Sequence, residues 1–118
     1  MAFDEYKYTT PFTGSDVAYT TSATVAAGEK FEKLTPLGQV ETTGELKAYN
    51  PTATDGTNKA VFMSAYDIDA TNGAEVVAVY KCGTFNSHMI NWPKSTTAAQ
   101  KATAFTGTPI SHQTPIND

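Results

Sequence analysis

Two histidines, one cysteine and a serine next to an imidazole are the side chains here best suited to nucleophilic or metal chemistry: His88, His112, Cys82 and Ser87. Nucleophilic catalysis needs a hydroxyl or thiol held against a base, with a third group orienting that base. Ser87 and His88 are sequence neighbours, whose side chains face apart in a strand, and no acid is placed by sequence to orient either ring. A metal centre needs three or four convergent ligands, and two distant histidines plus one cysteine match no zinc spacing. Cys82 closes a predicted strand beside Gly83 and reads as a small buried hydrophobe. A reactive thiol needs a cationic neighbour, and Lys81 is expected to point to the opposite face. The expectation is no catalytic residue, no metal and no cofactor, with both histidines at the surface or in an interface.

The run Asp67-Ile68-Asp69-Ala70-Thr71-Asn72-Gly73 has some calcium-loop character. Its glycine stands at the seventh position and not the sixth, and Ala78 occupies the twelfth, where a bidentate glutamate belongs. It reads as a turn between strands. Gly38, Gly44, Gly56, Gly73, Gly83 and Gly107 are isolated, each where a turn is needed, so no phosphate-cradling loop is present. Trp92-Pro93 reads equally as an interface anchor or as a core anchor.

The elements that must carry these residues follow from composition. The 118 residues amount to one domain, with a formal charge of −4, 17% charged residues and eight basic residues that are all lysine. Leu, Ile, Val and Phe total 20, against 16 Ala and 20 Thr. A small core without charge-driven expansion predicts a loop-rich β domain that leans on partners for burial. A net-acidic chain without arginine lacks the footprint of a nucleic-acid binder. The longest uncharged stretch, Ala102 to Asn117, is too rich in Thr, Ser, Gly, Pro and Gln to span a membrane. Asp4 and Glu5 stand where a signal peptide needs basic and apolar residues. One cysteine makes no internal disulfide. Synthesis in a cytoplasm is the expectation.

Residues 1–30 read as an extended arm, mobile when free, and 31–118 as a single β-rich domain. In the arm, Phe3, Tyr6, Tyr8, Phe12 and Tyr19 are spread among Thr, Ser, Gly and Asp, with Pro11 and Gly14 as breakers. Tyr6 and Tyr8 would share one face of a strand, with Glu5, Lys7 and Thr9 on the other. An ordinary terminus without a role fits the same composition. In the body, Leu34–Val40 is interrupted by Pro36, which predicts an edge or a bulge. Glu45–Tyr49 alternates, and 50–58 is a loop. Ala60–Ile68 and Glu75–Cys82 are the strongest strand candidates, joined through 69–73 with a type I′ signal at Asn72-Gly73 and room for a loop longer than two residues. Val77, Val79 and Lys81 alternate with Val76, Ala78 and Tyr80, predicting cover on both faces. Past Gly83 the pattern is irregular until Trp92. Ser95–Phe105 is the one credible helix, with Thr97 and Gln100 at capping-box spacing. Thr108–Ser111 is a candidate last strand.

Several segments occur in a telling order: Leu34-Thr35-Pro36-Leu37, Leu46-Lys47-Ala48-Tyr49, Thr54-Asp55-Gly56-Thr57, Val79-Tyr80-Lys81-Cys82-Gly83-Thr84-Phe85, Asn91-Trp92-Pro93 and Thr103-Ala104-Phe105-Thr106-Gly107-Thr108-Pro109-Ile110-Ser111. Over residues 34–111 this order and spacing resembles the head decoration protein D family of phage lambda and its relatives. The resemblance implies a mainly β, β-clip-like fold: a bent ribbon and incomplete barrel with little helix. It implies a capsid cement protein that seats as homotrimers on local three-fold sites of the expanded shell and resists the pressure of packaged DNA. The implied partner is the major capsid protein, on the outer surface of the virion, with no direct nucleic-acid or membrane contact. Phe3, Tyr6, Tyr8, Pro11 and Phe12 are then the expected capsid-binding residues, and Trp92 and Pro93 the candidate trimer contact. Two rival classes are a virion-surface adhesin, suggested by the Thr- and Tyr-rich composition, and a small hydrolase using Ser87, His88 or Cys82.

Overall fold

Twelve consecutive residues, Glu75–Asn86, form the strand that organises the protein. In the computed structural model, which describes residues 18–113, the strands are β1 (Tyr19–Val25), β2 (Lys30–Phe31), β3 (Pro36–Gln39), β4 (Leu46–Ala48), β5 (Phe62–Ser64), β6 (Ile68–Asp69), β7 (Glu75–Asn86) and β8 (Ile110–Gln113). One short helix, α1, spans Ala98–Thr103. The main sheet runs β1-β4-β3-β5-β7-β8, and β1 also pairs with β7. Five strands therefore close into a barrel-like ring, and β8 extends it on the far end of β7. The architecture is mainly β with one short helix, in accord with the sequence reading.

The ring closes unevenly. β1 lies antiparallel to β7 along its whole length, whereas its other edge meets β4 only at the parallel pair Val25 and Leu46. β7 serves three partners because it changes neighbour midway. Its first part lies between β1 and β5, and its last four residues pair in parallel with β8. Gly83 marks the change, with φ +134, a backbone conformation that side chains rarely adopt. The strand bends there and continues, so Thr84, Phe85 and Asn86 are buried instead of forming the irregular segment expected past Gly83.

The small aliphatic content is divided between two cores. Val25, Leu37, Leu46, Ile68, Ala70 and Val79 form one, and Leu34, Tyr49, Ala60, Met63, Phe85, Ile90, Ala104, Phe105 and Ile110 form the other. Close backbone packing supplements them. A Cβ on Gly38, in β3, would stand 2.5 Å from the Cα of Thr57, so the 50–58 loop lies directly on the strand.

Several sequence expectations change in the fold. Tyr19–Val25, assigned to the arm, belongs to the body as β1, because its Tyr, Thr and Val residues suit a pleated, half-buried surface. Pro36 lies in a central strand flanked by β4 and β5. It is tolerated as the first residue of β3, where a missing N–H costs no ladder bond, and its carbonyl accepts from Tyr49 N at 2.8 Å. Ala60–Ile68 divides into β5 and β6, and β6 joins a separate two-stranded ribbon with β2. Asn72-Gly73 is consequently not the tip of a two-residue hairpin. Val76 is 72% exposed, so β7 is not covered on both faces at its start. The helix is shorter than 95–105, but Thr97 caps it in the expected reciprocal box with Gln100.

Candidate functional site

The sequence placed recognition in the aromatic residues Phe3, Tyr6, Tyr8, Pro11 and Phe12, all of which lie outside the described residues. The described chain begins immediately before β1. Between Tyr19 and Thr24 the outer edge of β1 has no neighbouring strand among the described residues. Exposed edges are normally guarded by charge, proline or a very short strand. β1 has seven residues with neither charge nor proline, and only an irregularity between Tyr19 and Thr20 disturbs its register with β7. Tyr19 is 59% exposed at the end where the preceding residues join. This edge can accept an extended chain through main-chain hydrogen bonds, with alternate side chains supplying selectivity.

A second feature centres on Trp92. Asn91 is tied twice to the segment that precedes β3, by its backbone N–H to the Leu34 carbonyl (2.8 Å) and by its side chain Nδ2 to the Lys33 carbonyl (2.7 Å). These bonds set the half-buried Trp92 ring among Tyr49, Phe105 and His112, with centroids 6.1, 6.2 and 5.3 Å away. Trp92 packs against the second core and also lines a groove of about 460 Å³ with Pro93, Tyr49, Ala48, Ala53 and Asp55. It is thus both a core anchor and a surface residue. Burial pushes the Tyr49 hydroxyl above its ordinary pKa. The Thr57 hydroxyl, and then its backbone N–H, hold the Asp55 carboxyl below its ordinary value. The groove rim therefore carries an ionised Asp55.

The candidate nucleophile and base meet, but not as sequence adjacency suggested. Ser87 Oγ lies 2.9 Å from Nδ1 of His112, not against His88. His112 Nε2 lies 2.9 Å from the Lys101 carbonyl, which only accepts, so Nε2 carries the proton and Nδ1 accepts from Ser87. His88 N donates to Asn86 Oδ1, capping the 3-10 turn Ser87–Met89 that carries the serine. No signal in the sequence marks the Ser87–His112 pair, because 25 residues separate its members. The imidazole is held by a backbone carbonyl and by the edge of Trp92, an arrangement that fastens β8 to α1 and to the turn after β7. Replacing His112 with alanine should lower stability by about 1–3 kcal/mol, the worth of two hydrogen bonds and a ring contact, against about 0.5–1.5 for Ser87→Ala. Urea unfolding of both variants checks this. Cys82 is half-buried, and among the described residues no three His, Cys, Asp or Glu side chains converge as metal ligands. No described helix is long and apolar enough to cross a membrane.

An exposed strand edge and a half-buried tryptophan are features of a binding protein, and the comparisons agree with that character. Residues 10–112 match the family described as bacteriophage lambda head decoration protein D. The head decoration protein of Enterobacteria phage P21 is 34% identical over 103 residues, covering 86% of this chain and 84% of that protein. The matched region contains β1 to β7 and β8 as far as His112, together with Ser87 and Trp92. This chain belongs to the bacteriophage lambda head decoration protein D family.

Proposed function

We propose that this protein decorates and cements a phage head, binding the major capsid protein on the outer face of the expanded shell as trimers at local three-fold sites. The observation that carries the reading is the unguarded outer edge of β1, which continues directly into residues 1–17. Those residues are the proposed arm, shorter than the 1–30 of the sequence reading because β1 belongs to the body. Phe3, Tyr6, Tyr8, Pro11 and Phe12 contact the capsid protein, with main-chain pairing along the arm. Ordering an arm costs roughly 1–2 kcal/mol per residue, so one copy binds modestly. Three arms on a trimer gain from effective concentration when the shell presents three matching sites. Trp92 and Pro93 lie in the trimer contact region, where an exposed aromatic edge favours burial. The formal charge of −4 and the absence of arginine suit a protein surface and not packaged DNA. Cross-bracing of neighbouring capsid subunits is what resists internal pressure.

Co-sedimentation with undecorated shells of the cognate phage tests this reading. Saturable binding to expanded shells near one copy per capsid subunit, with none to unexpanded shells, is the expected outcome. Failure to bind either shell would overturn the cement role, and binding of the isolated protein to host cells would favour an adhesin.

A further inference from the structure

The turn between β6 and β7 places an asparagine where its side chain and the next main-chain nitrogen can react. Asn72 is exposed there, and its side chain has no hydrogen-bond partner among the described residues. Gly73 follows it, so no Cβ shields the nitrogen, and no described atom lies within 4 Å of where one would stand. That nitrogen donates to the Ala70 carbonyl at 3.1 Å, which closes the turn. Ala70 is fully buried, but its carbonyl also accepts from Gly28 N at 2.8 Å. The Gly73 bond can therefore open without orphaning a buried acceptor, which is what makes a buried bond costly to break.

Each other described asparagine lacks one of these features. Asn50 precedes Pro51, whose nitrogen carries no hydrogen. Asn58 is exposed, but the Lys59 side chain crowds the nitrogen that follows it. Asn86 is 3% exposed, with Oδ1 accepting from His88 N. Asn91 donates through Nδ2 to the Lys33 carbonyl, and the bulky Trp92 comes next. The chemically related pair Asp55-Gly56 is closed as well. Gly56 packs on the Gln39 carbonyl, and the Thr57 N–H and hydroxyl hold the Asp55 carboxylate.

We propose that Asn72 is a site of spontaneous deamidation in the folded protein, with the Gly73 nitrogen as internal nucleophile. Water or hydroxide takes the Gly73 N–H proton, and the nitrogen bonds to Cγ of Asn72. The Cγ–Nδ2 bond breaks, and ammonia leaves with a proton returned by the solvent. The cyclic imide left behind takes up one water. Opening at Cγ gives aspartate, and opening at the main-chain carbonyl gives isoaspartate. Water is the one co-reactant. The product carries one more negative charge, within three residues of Asp69 and Glu75. Isoaspartate lengthens the main chain by one atom, but Ala70 stays anchored by Gly28 N and by its own N–H to the Glu29 carbonyl at 2.7 Å. The change is therefore confined to the turn. This inference is independent of the shell-binding reading, since it concerns the chemistry of the free protein.

Trypsin isolates the site. The peptide 60–81, bounded by Lys59 and Lys81, holds Asn72 as its single amide side chain, whereas 48–59 holds Asn50 and Asn58, and 82–94 holds Asn86 and Asn91. The experiment incubates the folded full chain at mildly acidic and mildly alkaline pH, beside a urea-unfolded sample and Asn72→Gln, and follows the tryptic peptides by mass spectrometry. Peptide 60–81 of the folded chain should convert to two acidic isomers at least about tenfold faster than the other two peptides, a barrier difference of about 1.4 kcal/mol. Conversion should be faster at the higher pH and within about tenfold of the unfolded sample. Asn72→Gln should stay unconverted, because its longer side chain closes a less favourable ring, and circular dichroism should show an unchanged β body. Conversion in the unfolded sample alone would overturn the proposal, by assigning the reaction to unfolded chains. Equal rates in the three peptides of the folded chain, or no conversion of 60–81, would also overturn it.

Discussion

Removing residues 1–17 should abolish co-sedimentation with expanded shells while leaving the body's melting midpoint within about 4 °C of the full chain, the shift that roughly 1 kcal/mol produces in a domain of this size. The cut must stop there. β1 begins at Tyr19 and pairs with β7 along its whole length, and Val25 at its end is fully buried in one of the two cores. A deletion carried through Val25 would strip the edge of β7, open the ring and unfold the protein, which would make lost binding uninformative. With the body intact, loss of binding isolates the arm. The effect should be large because avidity multiplies it: each arm's modest affinity is raised through effective concentration on a trimer. Undiminished binding of the truncated protein would sink the arm reading and leave the β1 edge as the remaining route. Ser22→Lys addresses that edge. Ser22 is exposed, and a lysine there supplies the charge by which natural edges discourage pairing. It should weaken shell binding without changing the circular dichroism of the free protein.

Phe85→Ala should destabilise the body by about 3–5 kcal/mol, the range for truncating a buried phenylalanine. Phe85 is fully buried and stacks edge-on with Tyr80 at 5.3 Å, in a core that also holds Leu34, Met63, Ile90, Phe105 and Ile110. That core joins the turn after β7, the end of α1 and β8 to the ring. The chain has few aliphatic residues to close over a cavity, so relaxation should be slight and the cost near the upper end. Against a typical total of about 5–15 kcal/mol, such a loss consumes much of the margin. A fall of at least about 10 °C in the melting midpoint is expected. Val76→Ala in the same strand provides the contrast, since Val76 is largely exposed and should change stability by less than about 0.5 kcal/mol. Equal effects of the two substitutions in calorimetry would contradict the assignment of the core.

Much of the local structure is legible in the sequence. The Thr97–Gln100 capping box forms as spaced, because both hydrogen bonds span three residues and need only one helical turn. The alternation in Glu75–Cys82 marks a strand for the same reason: side-chain direction in a strand is a property of adjacent residues. The order of the Leu34-Thr35-Pro36-Leu37, Tyr80–Phe85, Trp92-Pro93 and Phe105–Ser111 segments was sufficient to suggest the family. Composition alone indicated a small core and a loop-rich β body.

What stayed hidden was long-range. Whether Tyr19–Val25 is arm or sheet depends on β7, fifty or more residues later, offering it an edge. Pro36 suits an edge by its missing N–H alone, yet it opens β3, where no ladder bond is lost. Gly83 looked like a stop, yet a positive φ and the arrival of β8 turn it into a bend within one long strand. Ser87 and His112 meet only because β8 lies parallel to the end of β7, which the spacing of two residues 25 apart cannot express. Sequence by itself determined turns, caps, strand alternation and family, since these depend on neighbours within a few residues. Tertiary structure alone decided which edge of β1 is open and what surrounds Trp92, because both depend on which distant strands close the ring.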